Sequence, residues 1–304
     1  MAVPELQAND LARRYTNGGV NGLELQLEAG NVVGVAGPNG AGKSTALGLL
    51  ATRVRATRGS LHVAGIDARQ RPRAARTRIG YLGHQPPLYD DMRVVDFLGH
   101  AARLYGIAKA ERSASVERAV ERSGLADRDE RRIRHLSAGY RRRVGLAQAL
   151  IHDPPVLILD EPTTGLDAQA TRHFWAQLAP LAEGRVIIIA SHLFAELDHL
   201  CHRLVIFDAG EVVSDDSLRP ADAANGLLVR LRDAHGETPP AEALGLSSVE
   251  TLAAGRFRIR NADDASQRRL MATILERGWS VDEWSRERAA SEQLYRAAVE
   301  SVHC

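Results

Sequence analysis

Runs of mainly apolar residues recur along the chain at 32–36, 156–159, 185–190 and 203–207. A short apolar run without polar interruption is typical of a strand buried on both faces of a parallel sheet. The stretches between these runs, at about 92–125, 137–151 and 168–182, have apolar residues at helical spacing. Strands alternating with helices predict an α/β fold.

The N-terminal stretch, from about residue 3 to 36, has a different pattern. Apolar and polar residues alternate there, most clearly over Leu23-Glu24-Leu25-Gln26-Leu27. This period of two predicts strands with one buried face, and therefore a short antiparallel sheet. Further strands are predicted at 60–64 and 79–82.

The composition changes near Arg219-Pro220. Beyond that point the pattern predicts strands at about 227–231, 247–252, 256–260 and 279–283, and helices at about 239–244, 265–277 and 288–301. This order is typical of a small α+β domain of split βαβ type. We therefore divide the chain into residues 1–218 and a C-terminal domain of residues 219–304.

Composition narrows the possible functions. The 304 residues carry a net charge of +1, which gives no reason to expect general binding to polyanions. There is no apolar run of about 18 residues and no signal segment at the N-terminus, so we expect no membrane span. The two cysteines, Cys201 and Cys304, form no disulfide framework, which favours a reducing, cytoplasmic location.

A phosphate-binding pattern, G-x-x-x-x-G-K-[ST], follows the first apolar run directly. It comprises Gly37, Pro38, Asn39, Gly40, Ala41, Gly42, Lys43, Ser44 and Thr45. A helix-forming run follows, so the motif has the strand–turn–helix context it needs. Backbone N–H groups of such a loop cradle phosphates, the lysine reaches the β- and γ-phosphates, and the Ser44 hydroxyl can ligate Mg²⁺.

Two carboxylates, Asp160 and Glu161, end the apolar run at 156–159. Enzymes with a phosphate loop place at this position the carboxylate that holds Mg²⁺. We therefore predict that Asp160 binds the metal. Glu161 is the predicted general base that polarises the attacking water.

Together these motifs resemble the nucleotide-binding subunit of an ATP-binding cassette (ABC) transporter, over residues 3 to 215. The resemblance rests on GPNGAGKST (37–45), Gln85, LSAGYRRRVGLAQAL (136–150), VLILDEP (156–162), GLD (165–167) and Ser191-His192. It implies a P-loop NTPase cassette with a parallel sheet core, an antiparallel β subdomain and a helical subdomain. It also implies ATP and Mg²⁺ as cofactors.

The resemblance assigns roles to several further residues. Tyr15 resembles the aromatic that stacks on adenine, although a core tyrosine is the alternative. Gln85 resembles the lid-loop glutamine that contacts Mg²⁺ and the attacking water. His192 resembles the histidine that bonds the γ-phosphate, and Asp167 the residue that links two active sites across a dimer. Taken alone, Gln85 would be a turn residue and His192 a structural one.

The signature stretch departs from the commonest family form, LSGGQ. Ala138 replaces a glycine and Tyr140 replaces the glutamine, whereas Ser137 and Gly139 remain. A hydroxyl and backbone N–H groups at a helix N-terminus are the physical requirement for binding a γ-phosphate, and these are retained. The following arginines, 141–143, are expected to be solvated or to face a dimer partner.

By the same resemblance, two cassettes bind two ATP molecules head to tail, as a homodimer or as a pair with a second cassette. The chain would lie peripherally on the cytoplasmic face of the cell membrane and drive an integral-membrane permease on a separate chain. The terminal Ser291–Tyr295 stretch resembles tail domains of exporter and cofactor-maturation systems.

Two other functions compete with this interpretation. One is an ABC-type ATPase that acts on ribosomes or nucleic acid, but the chain has neither two cassettes nor a coiled-coil insertion. The other is a P-loop kinase, which would not explain the signature stretch or His192. No nucleic-acid partner is expected, since no aromatic residues are interleaved with the arginines. We expect structural roles for His199, Cys201 and His202, whose spacing fits no known metal site.

Overall fold

The computed structural model describes residues 5–16, 18–125, 130–218, 226–233, 235–246, 248–252, 255–259, 264–286 and 290–303. The strands there are β1 (Leu6–Tyr15), β2 (Gly18–Leu27), β3 (Val32–Ala36), β4 (Arg58–Val63), β5 (Ile66–Asp67), β6 (Ile79–Leu82), β7 (Val156–Asp160), β8 (Val186–Ala190), β9 (Arg203–Asp208), β10 (Glu211–Ser217), β11 (Leu227–Arg232), β12 (Val249–Thr251), β13 (Arg256–Ile259) and β14 (Ser280–Arg286). The α-helices there are α1 (Lys43–Leu50), α2 (Pro72–Arg76), α3 (Val94–Leu104), α4 (Arg112–Arg122), α5 (Ala138–Leu150), α6 (Ala168–Leu178), α7 (Phe194–Leu200), α8 (Asp264–Arg277) and α9 (Ala290–His303).

A six-stranded sheet with the order β10-β9-β3-β8-β7-β6 forms the centre of the fold. All of its neighbouring strands are parallel except β10, which pairs antiparallel with β9. The apolar runs of the sequence are its strands, and β3, β7 and β8 are buried along their whole length. The predicted α/β architecture is confirmed.

The two faces of the central sheet have separate apolar cores. On one face, Val33 and Val35 of β3 pack with Leu47 and Leu49 of α1 and with the antiparallel sheet. On the other face, Val32 packs with residues of α5, α6, α7 and α9. This division follows from the strand period of two, which sends successive side chains to opposite faces.

The antiparallel sheet has the strand order β2-β1-β4-β5. It includes the alternating stretch 23–27, as predicted. The predicted antiparallel region extended to residue 36, and that part is wrong, because β3 pairs in parallel with β8 and β9 of the central sheet.

Helices α3, α4 and α5 share a further apolar core, which is the predicted helical subdomain.

The C-terminal residues form a four-stranded sheet with the order β12-β13-β11-β14. Strands β13 and β14 are both antiparallel to the intervening β11 and are joined through α8, which is the predicted split βαβ arrangement. The last helix, α9, contacts α7, β9 and β10 instead. The predicted domain boundary at Arg219-Pro220 lies outside the described residues, so the division at 218/219 stays a prediction.

Four elements were not predicted from the sequence, namely β5, α2, α7 and β10. Helix α7 has seven residues, of which Glu196 and Asp198 are buried acids that interrupt its apolar face. Strand β10 is an edge strand with the polar sequence EVVSDDS. Within the part of the chain that the structure describes, no helix combines the length and apolarity needed to cross a bilayer.

Candidate functional site

The parallel order β3-β8-β7-β6 places the ends of four strands along one edge of the central sheet. We call this the carboxyl edge. The phosphate loop follows β3, Ser191-His192 follows β8, Asp160-Glu161 ends β7, and Gln85 follows β6. Ligands of open α/β sheets bind at the carboxyl ends of the strands. The sheet therefore brings together four motifs that are up to 155 positions apart in the sequence, from Gly37 to His192.

The phosphate loop needs glycine at two positions for steric reasons. Gly37 has φ +152°, and a Cβ there would lie 2.3 Å from the Phe207 carbonyl oxygen. Gly42 has φ +103°, and a Cβ there would lie 2.4 Å from the Gly19 carbonyl oxygen. The backbone of the loop thus packs directly against β9 and the β1–β2 hairpin, which no larger residue would permit.

Lys43 is the first residue of α1, and Gly42 is its N-cap. The Lys43 ammonium donates hydrogen bonds to the carbonyls of Gly37 and Pro38, at 2.7 and 3.0 Å. Burial lowers the pKa of this lysine, while the charges of Glu161 and Asp160 act in the opposite direction. These two carboxylates are thus close enough to influence Lys43 electrostatically. The remaining predicted loop residues are Asn39, Gly40 and Ser44, which are exposed, and Ala41 and Thr45, which are buried and half-buried.

Asp160 ends β7 and is only 7% exposed. The Tyr81 hydroxyl donates a hydrogen bond of 3.4 Å to its Oδ2 atom. Burial, followed by the neighbouring negative charge of Glu161, raises the pKa of Asp160. A carboxylate held in such a place favours a nearby cation, because a positive charge would offset both effects.

Glu161 and His192 meet directly at the carboxyl edge. The His192 Nδ1 atom lies 2.6 Å from Glu161 Oε2, and Thr164 donates a longer hydrogen bond of 3.3 Å to the same oxygen. Glu161 has φ +49°, in the left-handed region that costs energy for a residue other than glycine. The predicted base and the predicted γ-phosphate ligand are therefore neighbours.

The other two predicted nucleotide contacts are exposed. Gln85 lies three residues beyond β6. Tyr15, at the end of β1, is 48% exposed and so is not a core tyrosine. The Arg13 guanidinium lies over its ring at 4.9 Å from the centroid. Tyr15 pairs with Gly18 in the hairpin whose Gly19 lies against Gly42, so the hairpin that carries Tyr15 is next to the phosphate loop.

The signature residues face a different pocket. Ser137 caps α5 by accepting a hydrogen bond from the Tyr140 backbone N–H. Asp167 caps α6 by accepting from the N–H groups of Gln169 and Ala170. Ser137, Gly139 and Asp167 line one surface pocket of about 430 Å³, which Gln169, Ala170 and His173 of α6 complete on one side. The structure thus groups the residues expected to act across a dimer, in a pocket that is separate from the phosphate loop.

Comparison with known proteins identifies the family. The family described as "ABC transporter" matches residues 20–164. The ABC transporter ATP-binding protein NatA of Bacillus subtilis is 38% identical over 196 residues, which cover 64% of this chain and 80% of NatA. This chain belongs to the ATP-binding subunits of ABC transporters. It is thus an ABC cassette, an ATP-binding and ATP-hydrolysing protein.

Two further relatives support this assignment. The Nod factor export ATP-binding protein I of Burkholderia thailandensis is 36% identical over 221 residues, which cover 72% of this cassette and 73% of that protein. Among solved structures, cbiO1 from Clostridium perfringens, a part of the ABC transporter complex cbiONQ, superposes with a TM-score of 0.64 at 25% identity. That superposition covers 71% of this cassette and 89% of cbiO1.

One expectation about the cassette is wrong. Arg142 is neither solvated nor positioned at a surface, since it is only 5% exposed. Its neighbours differ from it, because Arg141 forms an ion pair with exposed Asp90 and Arg143 lies over the Tyr140 ring. Successive helical residues point about 100° apart, so three adjacent arginines cannot share one environment. Sequence composition alone gave no sign of this difference.

A buried glutamate also escaped prediction. Glu196 of α7 is 6% exposed, and its Oε2 atom accepts hydrogen bonds from Thr163 and Ser191 at 2.6 and 3.1 Å. Thr163 follows Glu161 by two residues, and Ser191 precedes His192 directly. Glu196 therefore joins the segment that carries Glu161 to the segment that carries His192. The only available signal in the sequence was an acid four residues after His192.

Of the residues expected to be structural near residue 200, Cys201 is buried, whereas His199 and His202 are exposed, so the structural role of the two histidines stays a prediction. Cys201 is fully buried, and burial raises the pKa of its thiol. Across the described ranges, no group of three or more His, Cys, Asp or Glu side chains could hold a metal ion. Cys304 lies outside the described residues.

Proposed function

We propose that this cassette hydrolyses ATP at the carboxyl edge, with Glu161 as general base and His192 as the contact to the γ-phosphate. The convergence of the phosphate loop, Asp160, Glu161 and His192 on adjacent parallel strands carries the proposal. Lys43 binds the β- and γ-phosphates, and Tyr15 stacks on adenine. Glu161 takes a proton from the attacking water as the bond between the γ-phosphorus and the bridging oxygen breaks, which releases ADP and phosphate.

Magnesium fits this site by the chemistry of its donors. The Ser44 hydroxyl, the Asp160 carboxylate and the Gln85 amide oxygen are hard oxygen ligands of the kind Mg²⁺ prefers. Asp160 is buried beside a second carboxylate, and a cation there would offset the like-charge repulsion. Bound Mg²⁺ supplies charge neutralisation of the phosphate oxygens. Ser44 and Asp160 would hold and orient the ion, and Gln85 would contact both the ion and the attacking water.

The cassette is proposed to work as a head-to-tail pair. Ser137 and Gly139 lie in a pocket with Asp167, separate from the phosphate loop on β3 and α1. A helix N-terminus is suited to an anion, because its backbone N–H groups point outward and the helix dipole is positive there. In a pair, these residues of one subunit would bind the γ-phosphate held by the other, and Asp167 would link the two sites. The pair is a homodimer or one of two different cassettes.

Replacement of Glu161 by Gln tests the chemistry. We expect the E161Q variant to bind ATP and to accumulate as a stable dimer, with turnover reduced at least about 100-fold because the base is lost. The matched control is Glu28→Gln, an exposed glutamate before β3, at the opposite end of the strand from the phosphate loop. Steady-state ATPase assays and size-exclusion chromatography with ATP distinguish the two. Wild-type turnover in E161Q would exclude Glu161 as the base.

The membrane partner is a separate part of the proposal. The relatives named for Nod factor export support an exporter-type system in which a permease on another chain lies at the membrane. The cassette would lie on the cytoplasmic face and contact that permease near Gln85 and α3. Mild-detergent pull-down of the tagged chain from native membranes is expected to recover a multi-span membrane protein. Recovery of ribosomes or nucleic acid instead would contradict this partner.

A further inference from the structure

Arg142 makes an unusual set of contacts for a buried arginine. Its Nε atom donates to the Pro162 carbonyl at 2.7 Å, and Nη2 donates to the carbonyls of Asp160, at 2.8 Å, and Glu161. Its Nη1 atom donates to the carbonyls of Gly83 and His84, at 2.8 and 2.7 Å. One guanidinium thus binds backbone oxygens at and just beyond the end of β7, and just beyond the end of β6.

These oxygens belong to the peptide groups that set two functional side chains. The Asp160 and Glu161 carbonyls belong to the peptide groups on either side of the Glu161 α-carbon. The His84 carbonyl belongs to the peptide group that precedes Gln85. Because a peptide group is planar, fixing its oxygen fixes the orientation of the whole unit. Arg142 therefore restrains the backbone of Glu161 and the approach to Gln85.

Glu161 needs such restraint. Its φ of +49° is a left-handed conformation that costs about 1–2 kcal/mol for an L-residue. A strained residue of this kind persists only where its surroundings determine it. The Glu161 N–H donates to the Ala190 carbonyl at 2.9 Å, and Arg142 supplies the contact to the Glu161 carbonyl. The two contacts together hold the carboxylate where it meets His192.

We propose that Arg142 is a positioning residue for ATP hydrolysis, which sets the backbone of Glu161 and of the Gln85 segment through five carbonyl contacts. The inference rests on the proposed roles of Glu161 and Gln85. Arg142 lies five residues after Ser137 on the same helix, so it also fixes α5, which carries the signature residues, to the carboxyl edge of its own subunit.

Steady-state kinetics of the full chain test this role. The variants are Arg142→Gln, which loses the charge and most of the donors, and Arg142→Lys, which keeps the charge. The matched control is Arg185→Gln. Arg185 is also largely buried and donates to the carbonyls of Pro154 and Leu181, but it precedes β8 at the edge opposite the site. All rates are referred to the folded fraction, measured by thermal unfolding.

Misplacement of a reacting group by about 1 Å costs about 100-fold in rate. We therefore expect kcat of R142Q to fall about 30- to 100-fold, with KM for ATP and binding of a fluorescent ATP analogue changed less than about threefold. R142K is expected to recover part of kcat. R185Q should lose stability but keep kcat within about twofold, because its contacts lie outside the site.

Three results would overturn the proposal. They are a kcat of folded R142Q within about threefold of wild type, a parallel change in kcat and KM, or an equal loss in R185Q. If R142Q does not fold, R142K decides: wild-type kcat in R142K despite raised exchange over 81–86 and 158–164, or a lower kcat without raised exchange, would contradict the role. Amide exchange of peptides over 81–86 and 158–164 gives a readout independent of activity, and it should rise in R142Q but not in R185Q.

Failure of the proposed function has a different signature. In that case E161Q would turn over ATP like wild type, or the wild-type chain would show no ATPase activity. Loss of activity in E161Q together with normal activity in folded R142Q would contradict the role of Arg142 alone.

Discussion

Asp198 of α7 attaches the last helix of the chain to the cassette. It is 2% exposed, and its two carboxylate oxygens accept hydrogen bonds from the backbone N–H groups of Ala290 and Ser291, at 2.5 and 2.9 Å. These residues begin α9, so the carboxylate satisfies N–H groups that have no partner within the helix. The Ser291 hydroxyl donates to the Phe194 carbonyl, and the Tyr295 ring packs at 4.9 Å from that of Phe194.

We expect Asp198→Ala to release α9 while the rest of the cassette stays folded. Loss of an N-cap costs about 0.5–2 kcal/mol, and a hydrogen bond to a charged group contributes about 1.5–3 kcal/mol. Because the two bonds share one carboxylate and are not additive, we estimate a loss of about 2–3 kcal/mol in the docking of α9. That corresponds to an increase of about 30- to 150-fold in the exchange of α9 amides.

Hydrogen exchange followed by mass spectrometry of peptides over 290–303 measures this change. Asp198→Asn keeps one acceptor oxygen and should give a smaller increase. The control is Asp282→Ala, which removes a partly exposed ion pair with Arg232 on the C-terminal sheet and should leave α9 unchanged. Unaltered protection of α9 in the D198A variant would refute the reasoning. So would a loss of protection spread equally over the whole chain, because the contact is local.

Two further predictions concern single residues. Lys43→Ala should weaken ATP binding at least about tenfold, because a charge-assisted contact contributes about 1.5–3 kcal/mol. The control is Lys109→Ala, on the exposed surface. Normal ATP binding by K43A, measured by calorimetry, would contradict the phosphate cradle. Burial beside the Tyr105 ring lowers the pKa of His152 from 6.5 to about 4. Between these two pH values His152 binds a proton in the unfolded chain but not in the folded one, so the stability of the wild-type protein falls as the pH drops below about 6.5. Linkage gives a loss of about 2 kcal/mol in the free energy of unfolding between pH 7 and pH 5. His152→Gln should remove this loss, as measured by urea unfolding at the two pH values. The same pH dependence in wild type and H152Q would exclude His152 as its source.

The motifs of the carboxyl edge could be predicted because each depends on local backbone chemistry. Glycines at 37 and 42, a lysine at a helix start and acids at a strand end are needed where they stand, whatever surrounds them. The apolar runs gave the strands for the same reason. Strand order could not be derived from the pattern, yet it is the order β3-β8-β7-β6 that brings His192 to Glu161.

The buried polar contacts could not be predicted, because they depend on partners far away in the sequence. Arg142 resembles its neighbours Arg141 and Arg143 in composition, and only the packing of α5 against β6 and β7 makes it buried. Glu196 and Asp198 interrupt the apolar pattern of α7, which is why that helix was missed. Their partners, Thr163 and the start of α9, lie 33 and more than 90 residues away.

Helix α7 lies between the site and α9. Residues two apart on a helix point about 200° apart, so Glu196 and Asp198 reach nearly opposite sides. Glu196 bonds the segments that carry Glu161 and His192, while Asp198 bonds α9, whose Leu294, Tyr295 and Ala298 pack into the core beneath the central sheet. By packing, therefore, α9 belongs with the residues before 218 even though it follows the C-terminal sheet in the chain. A chain cut at 218 would expose the apolar side of α7 and leave the Asp198 carboxylate without these N–H partners, next to the segment that carries His192.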